Sequence, residues 1–282
     1  MTSVLPARVG IAGGGRMGAG IAHAFLISGC KVVIVEQTIP AARAARDRVA
    51  RTVAASIERG LTAEAADVMS SLHATAELAD LAGADLAIEA VPEDRDLKLA
   101  LLPQLEAHLD PDGVLASNTS SIPIGTLARP LQRPEQFLGL HFFNPVPAST
   151  LVEIVTHGAA PAELTQRAKA WVRALGKHAI AVADSPGFAS SRLGVALALE
   201  AIRMLEEGVA SAADIDTAME QGYRHPMGPL KTTDIVGLDV RLGIAEQLER
   251  ELGARFSPPS LLREMVARGE VGRKSGNGFY NY

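Results

Sequence analysis

Three glycines at a fixed spacing constrain this chain more than any other feature. Gly13, Gly15 and Gly18 lie between a short apolar run, Arg8-Val9-Gly10-Ile11-Ala12, and a stretch of helical period from Arg16 to Ser28. A strand that turns at once into a helix needs a glycine at the tight turn. It needs a second where a phosphate approaches the backbone, and a third where helix packs on strand. The free N–H groups at the helix start then hold the phosphates. Alone, the motif also fits an ordinary glycine-rich turn. The next strand candidate, Lys31 to Glu36, ends in an acid about 20 residues on, where a ribose-binding carboxylate belongs. The two features together specify a dinucleotide site.

A Rossmann-type domain is therefore expected, with Gly13, Gly15, Gly18 and Glu36 at its cofactor. The carboxylate repels a 2′-phosphate, which favours NAD over NADP. Arg43, Arg46, Arg48 and Arg51 follow closely and keep NADP open, although most of them read as a solvated helix face. Further strand candidates are Asp85–Val91, Val114–Ser117, Phe137–Phe142, Leu151–Val155 and Ala179–Ala183. Helical patterns run from about Ala41 to Glu58, from about Thr62, and up to about His108. Strands separated by helices imply parallel crossovers in an open α/β sheet.

The pattern changes at Asp184-Ser185-Pro186-Gly187, beyond which no strand pattern is found. Arg192–Glu207 has an apolar face of helical period, and Ser211 with Asp214 reads as a helix start. Pro226, Gly228 and Pro229 mark a turn, and Ser260–Arg268 a late helix. The expected organisation is an α/β domain over 1–183 and an all-helical domain over 184–282.

Composition excludes several classes. A chain of 282 residues with 48% hydrophobic and 21% charged residues is globular rather than disordered. A formal charge of −5 argues against nucleic-acid binding through overall charge. The single cysteine, Cys30, excludes an intrachain disulfide and a cysteine-rich metal site, so no metal is expected. No apolar run reaches the roughly 18 residues that span a bilayer. Met1–Gly10 lacks the basic start of a signal peptide. A cytoplasmic protein without a membrane partner is expected.

A dehydrogenase acting on an alcohol needs a base for the hydroxyl proton, and histidine serves at neutral pH. His141 stands at a strand end in Leu140-His141-Phe142-Phe143-Asn144-Pro145, where open α/β sheets bind ligands. Glu153 follows in the next strand candidate and can orient the imidazole. On spacing alone, a structural histidine and a surface glutamate fit as well.

The surrounding segments resolve that choice. Gly13–Ala22, Glu89-Ala90-Val91-Pro92-Glu93 through Lys98, Ala116–Ser121, and Gly139–Pro147 with Leu151–Val155 resemble the L-3-hydroxyacyl-CoA dehydrogenase family, which includes the 3-hydroxybutyryl-CoA dehydrogenases. So do Ser185-Pro186-Gly187-Phe188, Asp214–Met219, His225–Pro229, and Gly272–Gly276 through Tyr280. The resemblance follows family order over nearly the whole chain. It implies that His141 is the acid/base, Glu153 its orienting carboxylate, and Ser120 a ligand of the substrate oxygen. It implies cofactor contacts at Gly13, Gly15, Gly18, Glu36, Glu93, Lys98, Asn144 and Lys274. A looser match puts CoA contacts near Thr52 and Arg59. The family's helical domain closes the site and forms a homodimer, and a stand-alone enzyme without a hydratase half is expected.

The chain departs from the family at Ser191, where an asparagine usually lines the site, and more mildly at Ala148-Ser149-Thr150. The first departure bears on substrate range, since a hydroxyl reaches less far than an amide. The acyl group is expected to be short or functionalised. A 3-hydroxyadipyl or carrier-protein thioester and a non-catalytic NAD-binding relative are the alternatives. A 3-hydroxyisobutyrate-type enzyme would need a lysine base, and Gly187–Leu199 contains none. A catalytic-cysteine dehydrogenase fails because Cys30 lies in the cofactor half.

Overall fold

The computed structural model describes residues 4–60 and 65–282. Thr62, where one helical pattern begins, lies outside them. The chain divides into two compact units, Met1–Ser185 and Pro186–Tyr282. Asp184 is tied into the first unit, because its carboxylate accepts from the Ile124 and Gly125 N–H groups at 2.9 and 2.7 Å.

The first unit is built on an eight-stranded sheet of order β3-β2-β1-β4-β5-β6-β7-β8. Its strands are β1 (Arg8–Ala12), β2 (Lys31–Val35), β3 (Leu72–Thr75), β4 (Leu86–Glu89), β5 (Val114–Ser117), β6 (Phe137–Phe142), β7 (Leu151–Thr156) and β8 (His178–Ala183). Helices α1 (Arg16–Ile27), α2 (Ile39–Glu58), α3 (Ala65–Ser70), α4 (Arg95–His108), α5 (Ile124–Ala128) and α6 (Ala162–Ala174) connect them. The β-branched interior of β2 is buried, as a strand covered on both faces requires. Two helices start on side-chain caps: Thr38 accepts from Ala41 N–H, and Asp94 from Leu97 N–H.

The structure departs from the sequence reading at two places. The four residues of β3 form an edge strand paired parallel with β2, too short to carry a readable alternation. More consequentially, β7 pairs antiparallel with β6, whereas every other neighbouring pair is parallel. The connection 143–150 contains no helix. It is shorter than the dozen or more residues that a parallel crossover needs, so the chain doubles back.

The second unit is helical: α7 (Ser190–Glu206), α8 (Ala212–Thr217), α9 (Pro229–Val236), α10 (Leu238–Leu252) and α11 (Ser260–Ala267). Ser211 caps α8 by accepting from Asp214 N–H, and its hydroxyl donates to the Asp214 carboxylate at 2.6 Å. The core joins Val195, Leu199 and Ile202 of α7 with Leu230, Leu238, Leu248 and Leu262. No helix among the described residues is long and apolar enough to cross a membrane.

Candidate active site

The reversal of β7 builds the first part of the site. In the β6–β7 ladder His141 stands directly opposite Glu153, so both side chains project from one face of the sheet. Nδ1 of His141 lies 2.7 Å from Glu153 Oε2. His141 is 6% exposed and Glu153 fully buried. A carboxylate at Nδ1 fixes the tautomer and stabilises the imidazolium, leaving proton exchange to Nε2. The Phe143 ring packs on the imidazole at 4.5 Å between centroids.

Ser120 reaches the same end of the sheet on the loop after β5. That loop is tied to β6 just beyond His141, where Asn118 Oδ1 accepts from Phe142 N–H at 2.9 Å. It is also gathered around one oxygen of Glu93. Oε1 accepts from Thr119 Oγ1 (2.6 Å), from the Ser120 and Ser121 N–H groups (2.9 and 3.0 Å), and from Ser121 Oγ (2.9 Å). Ser120 Oγ makes a longer contact of 3.3 Å with it. Burial pushes the Glu93 carboxyl up, but the Lys98 ammonium and these hydrogen bonds outweigh it, and the net shift is downward. Glu93 is therefore ionised at neutral pH.

Behind Glu93 lies a buried polar chain. Lys98 is 1% exposed, with Nζ 2.6 Å from Glu89 Oε1 and 3.3 Å from Glu93 Oε2. Ser117 Oγ donates to Glu89 Oε2 at 2.6 Å. The sequence reading put Lys98 at the cofactor; the structure puts it beneath Glu93, where it holds the loop carrying Ser120.

The dinucleotide cradle fits its three glycines. Gly13 has φ +94°, and a Cβ there would meet the Ala90 carbonyl oxygen at 2.9 Å. A Cβ on Gly18 would fall 1.8 Å from the Gly13 carbonyl oxygen, so only glycine packs there. Nothing stands within 4 Å of a Cβ on Gly15, the open point where a pyrophosphate can approach. Gly13, Gly15 and Glu36 line a cavity of about 720 Å³ closed by Val91, Pro92 and Leu101. Oε1 of Glu36 accepts from Gly14 N–H at 2.7 Å, which pins the carboxylate to the cradle. These residues fit an NAD whose ribose hydroxyls meet Glu36. Arg46, considered for a 2′-phosphate, donates instead to the Leu72 carbonyl at 3.1 Å.

A second cavity of about 720 Å³ lies between α2 and the 144–148 segment. Thr52, Arg59 and Asn144 line it, together with Arg16, Arg48 and Arg51, and no carboxylate does. Asn144, expected at the cofactor, lines this basic cavity rather than the glycine-lined one. Arg48 and Arg51 were read as a solvated face. The missed signal is their place on one stripe with Thr52, Ala55 and Arg59, at steps of three and four residues. Arg48 Nη1 also donates to the Gly14 carbonyl, tying this stripe to the cradle.

In the helical unit Ser191 stands in the first turn of α7, and the exposed Lys274 pairs with Asp239 at 2.6 Å. Burial raises the Cys30 thiol to about 11, so it is no nucleophile.

Comparison with known proteins agrees over the full length. Residues 8–185 match the family model for the 3-hydroxyacyl-CoA dehydrogenase NAD binding domain, and residues 187–282 match the corresponding C-terminal domain. The chain is 41% identical over 283 residues to the 3-hydroxybutyryl-CoA dehydrogenase of Mycobacterium tuberculosis, covering 98% of both chains. It is 36% identical to the mitochondrial hydroxyacyl-coenzyme A dehydrogenase of Rattus norvegicus, covering 99% of this chain and 92% of that one. The crystal structure of (S)-3-hydroxybutyryl-CoA dehydrogenase PaaH1 from Ralstonia eutropha superposes with a TM-score of 0.94 at 38% identity. That match covers 98% of this chain and 99% of the other.

Proposed function

The chain belongs to the 3-hydroxyacyl-CoA dehydrogenase family, and on that premise we propose that it interconverts a (3S)-3-hydroxyacyl-CoA and the 3-ketoacyl-CoA with NAD. The observation that carries this reading is the buried contact of 2.7 Å between His141 and Glu153. In the oxidation, Nε2 of His141 takes the C3 hydroxyl proton as the C3–H bond breaks and C3–O becomes a carbonyl. Bound NAD supplies the hydride acceptor. Glu153 stabilises the imidazolium, whose field is strong because the pair is out of water. In the reduction the same imidazolium returns its proton to the oxygen. Ser120 donates to that oxygen and aligns it, a role for which its weak contact with Glu93 leaves it ready.

Gly13, Gly15, Gly18 and Glu36 hold the cofactor, with Glu93 and Lys274 as further contacts, and Asn144 borders the basic cavity. Lys98 serves the site by fixing Glu93. The phosphates of CoA are placed against Arg16, Arg48, Arg51, Arg59 and Thr52, whose cavity has cations and no acid. A cytoplasmic homodimer joined through the helical unit accounts for Leu193, Val209 and Tyr223, which are 60–76% exposed there.

The test is NADH oxidation with a panel of 3-ketoacyl-CoAs, and NAD reduction with the matching (3S)-alcohols. Turnover of a short-chain member is expected. Absence of turnover in both directions across the panel would sink the reading.

A further inference from the structure

One residue belongs to both cavities of the first unit. Arg16 lines the glycine-lined cavity beside Gly15 and Met17, and the basic cavity beside Ala19, Gly20 and Arg51. Among the described residues no other side chain lines the two. Its place follows from the glycine turn. It is the first residue of α1, so it stands at the end of the helix that a pyrophosphate approaches. Ala19 and Gly20 follow at three and four residues, on the helix face that looks into the basic cavity. Arg16 stands where that end and that face meet.

The side chain is exposed, and among the described residues no hydrogen bond or ion pair holds it. Arg48, by contrast, is already fixed, donating to the Gly14 carbonyl at 3.0 Å. A free cation at the positive end of a helix is unfavourable until an anion joins it. An unanchored arginine also has much rotamer freedom to lose, and the first ligand to engage it bears that loss. A second ligand then meets a guanidinium already in place and binds more tightly than it would alone. The planar guanidinium suits this role, since its several N–H donors can serve two anions at once.

We propose that Arg16 bridges the pyrophosphate of NAD(H) and a phosphate of the CoA thioester, so that each ligand raises the affinity for the other. This rests on the dehydrogenase reading above, which puts the cofactor and CoA in these two cavities. Without Arg16 only repulsion between the two sets of phosphates remains. The residue therefore sets the sign of the coupling as well as the strength of each contact.

Free CoA and NADH do not react with each other, so the coupling is read at equilibrium. NADH is titrated by its fluorescence, with and without saturating CoA. In wild type the Kd for NADH should fall about fivefold when CoA is present, at the low end of coupling between sites. The Kd for CoA should fall by the same factor with NADH, as linkage requires. Pantetheine, which lacks the phosphates, should give no gain. In Arg16→Met both ligands should bind more weakly, and the factor should drop to one or below. Arg16→Lys keeps the charge and should keep part of the gain. Arg51→Ala, altered in the basic cavity alone, should weaken CoA and leave the factor unchanged. A wild type without coupling, or a factor unchanged in Arg16→Met, overturns the proposal while the dehydrogenase reading stands. CoA that fails to bind at all removes the placement of its phosphates and this proposal with it. Turnover of 3-ketoacyl-CoAs, measured alongside, reports on the dehydrogenase reading separately.

Discussion

The parallel and antiparallel parts of the sheet make their contributions to the site by opposite means. Around β1 and β4 the chemistry sits past the strand ends and is mostly backbone: a glycine at φ +94°, a glycine no Cβ can replace, and amide groups at a helix start. Along β6 and β7 it sits inside the strands and is entirely side chain, with two residues brought face to face by register. The first arrangement is sensitive to added volume and indifferent to most chemistry. The second tolerates similar shapes and is sensitive to the loss of one charge or proton. Each kind of variant should therefore injure one function and spare the other.

The largest effect is expected from the antiparallel side. His141→Ala should lower turnover on the order of 10²–10⁴ in a chemistry-limited step, the range for a positioned acid/base. NADH binding, followed by fluorescence, should persist. Glu153→Gln keeps the shape and removes the charge, so turnover should fall less, again without loss of NADH affinity. If either variant lost the cofactor in proportion to turnover, the separation of the two regions would be wrong.

Next comes the backbone side. Gly18→Ala puts a methyl group 1.8 Å from the Gly13 carbonyl oxygen. It should lower the melting temperature, by an overpacking cost of about 3 kcal/mol, and weaken NAD binding. Unchanged calorimetry and NAD affinity would contradict the packing described. Glu36→Ala should narrow the preference for NAD over NADP by admitting a 2′-phosphate, read as the ratio of kcat/KM for the two cofactors. A wild type that already used NADP(H) equally well would refute the role given to Glu36.

In the basic cavity, Arg51→Ala should raise KM for the CoA thioester roughly tenfold through one lost charge-assisted contact. The KM for an N-acetylcysteamine thioester, which lacks phosphates, should move much less. Equal changes for both thioesters would detach Arg51 from the phosphates.

The smallest effect concerns stability against pH. His23 joins α1 to α2 through Ser56 at 2.8 Å, and burial, then Lys177, lowers its pKa from 6.5 to about 4. The folded state keeps it neutral, so below pH 6.5 the unfolded chain binds the extra proton. Its contribution is complete above 6.5 and is lost as pH falls toward about 4. His23→Gln should flatten that acid limb in melting temperature against pH. An unchanged slope would assign the limb to other groups.

The cofactor cradle was legible because its requirement is written in residue type: three glycines and an acid at a fixed distance admit few other structures. His141 and Glu153 were legible as a base and its orienting carboxylate through the family resemblance, but the antiparallel register that sets them opposite one another was not. Period-two patterning is the same for parallel and antiparallel strands, and only the short connection 143–150 betrayed the reversal. Lys98 was found but put at the wrong depth, since a lysine carries no sequence mark of burial. Arg48 and Arg51 were masked by their similarity to solvated helix residues.

Register has one more consequence. The His141–Glu153 pair is fixed by the ladder between β6 and β7, and the ladder by the strands' own apolar patterns. The connection between them, too short for a parallel crossover, sets the direction of β7. Its middle, Asn144 to Ala148, forms a wall of the basic cavity. One strand–loop–strand unit thus carries both the acid/base pair and a wall of the basic cavity, with Val146 buried in the core and Lys177 Nζ bonded to the Val146 and Ser149 carbonyls. Within that wall Pro147 and Ala148 are exposed, so their side chains can be exchanged without touching the buried Val146 or the ladder. The exposed side chains that face the basic cavity and the pair aligned by the ladder thus lie on one short stretch of chain but depend on different residues.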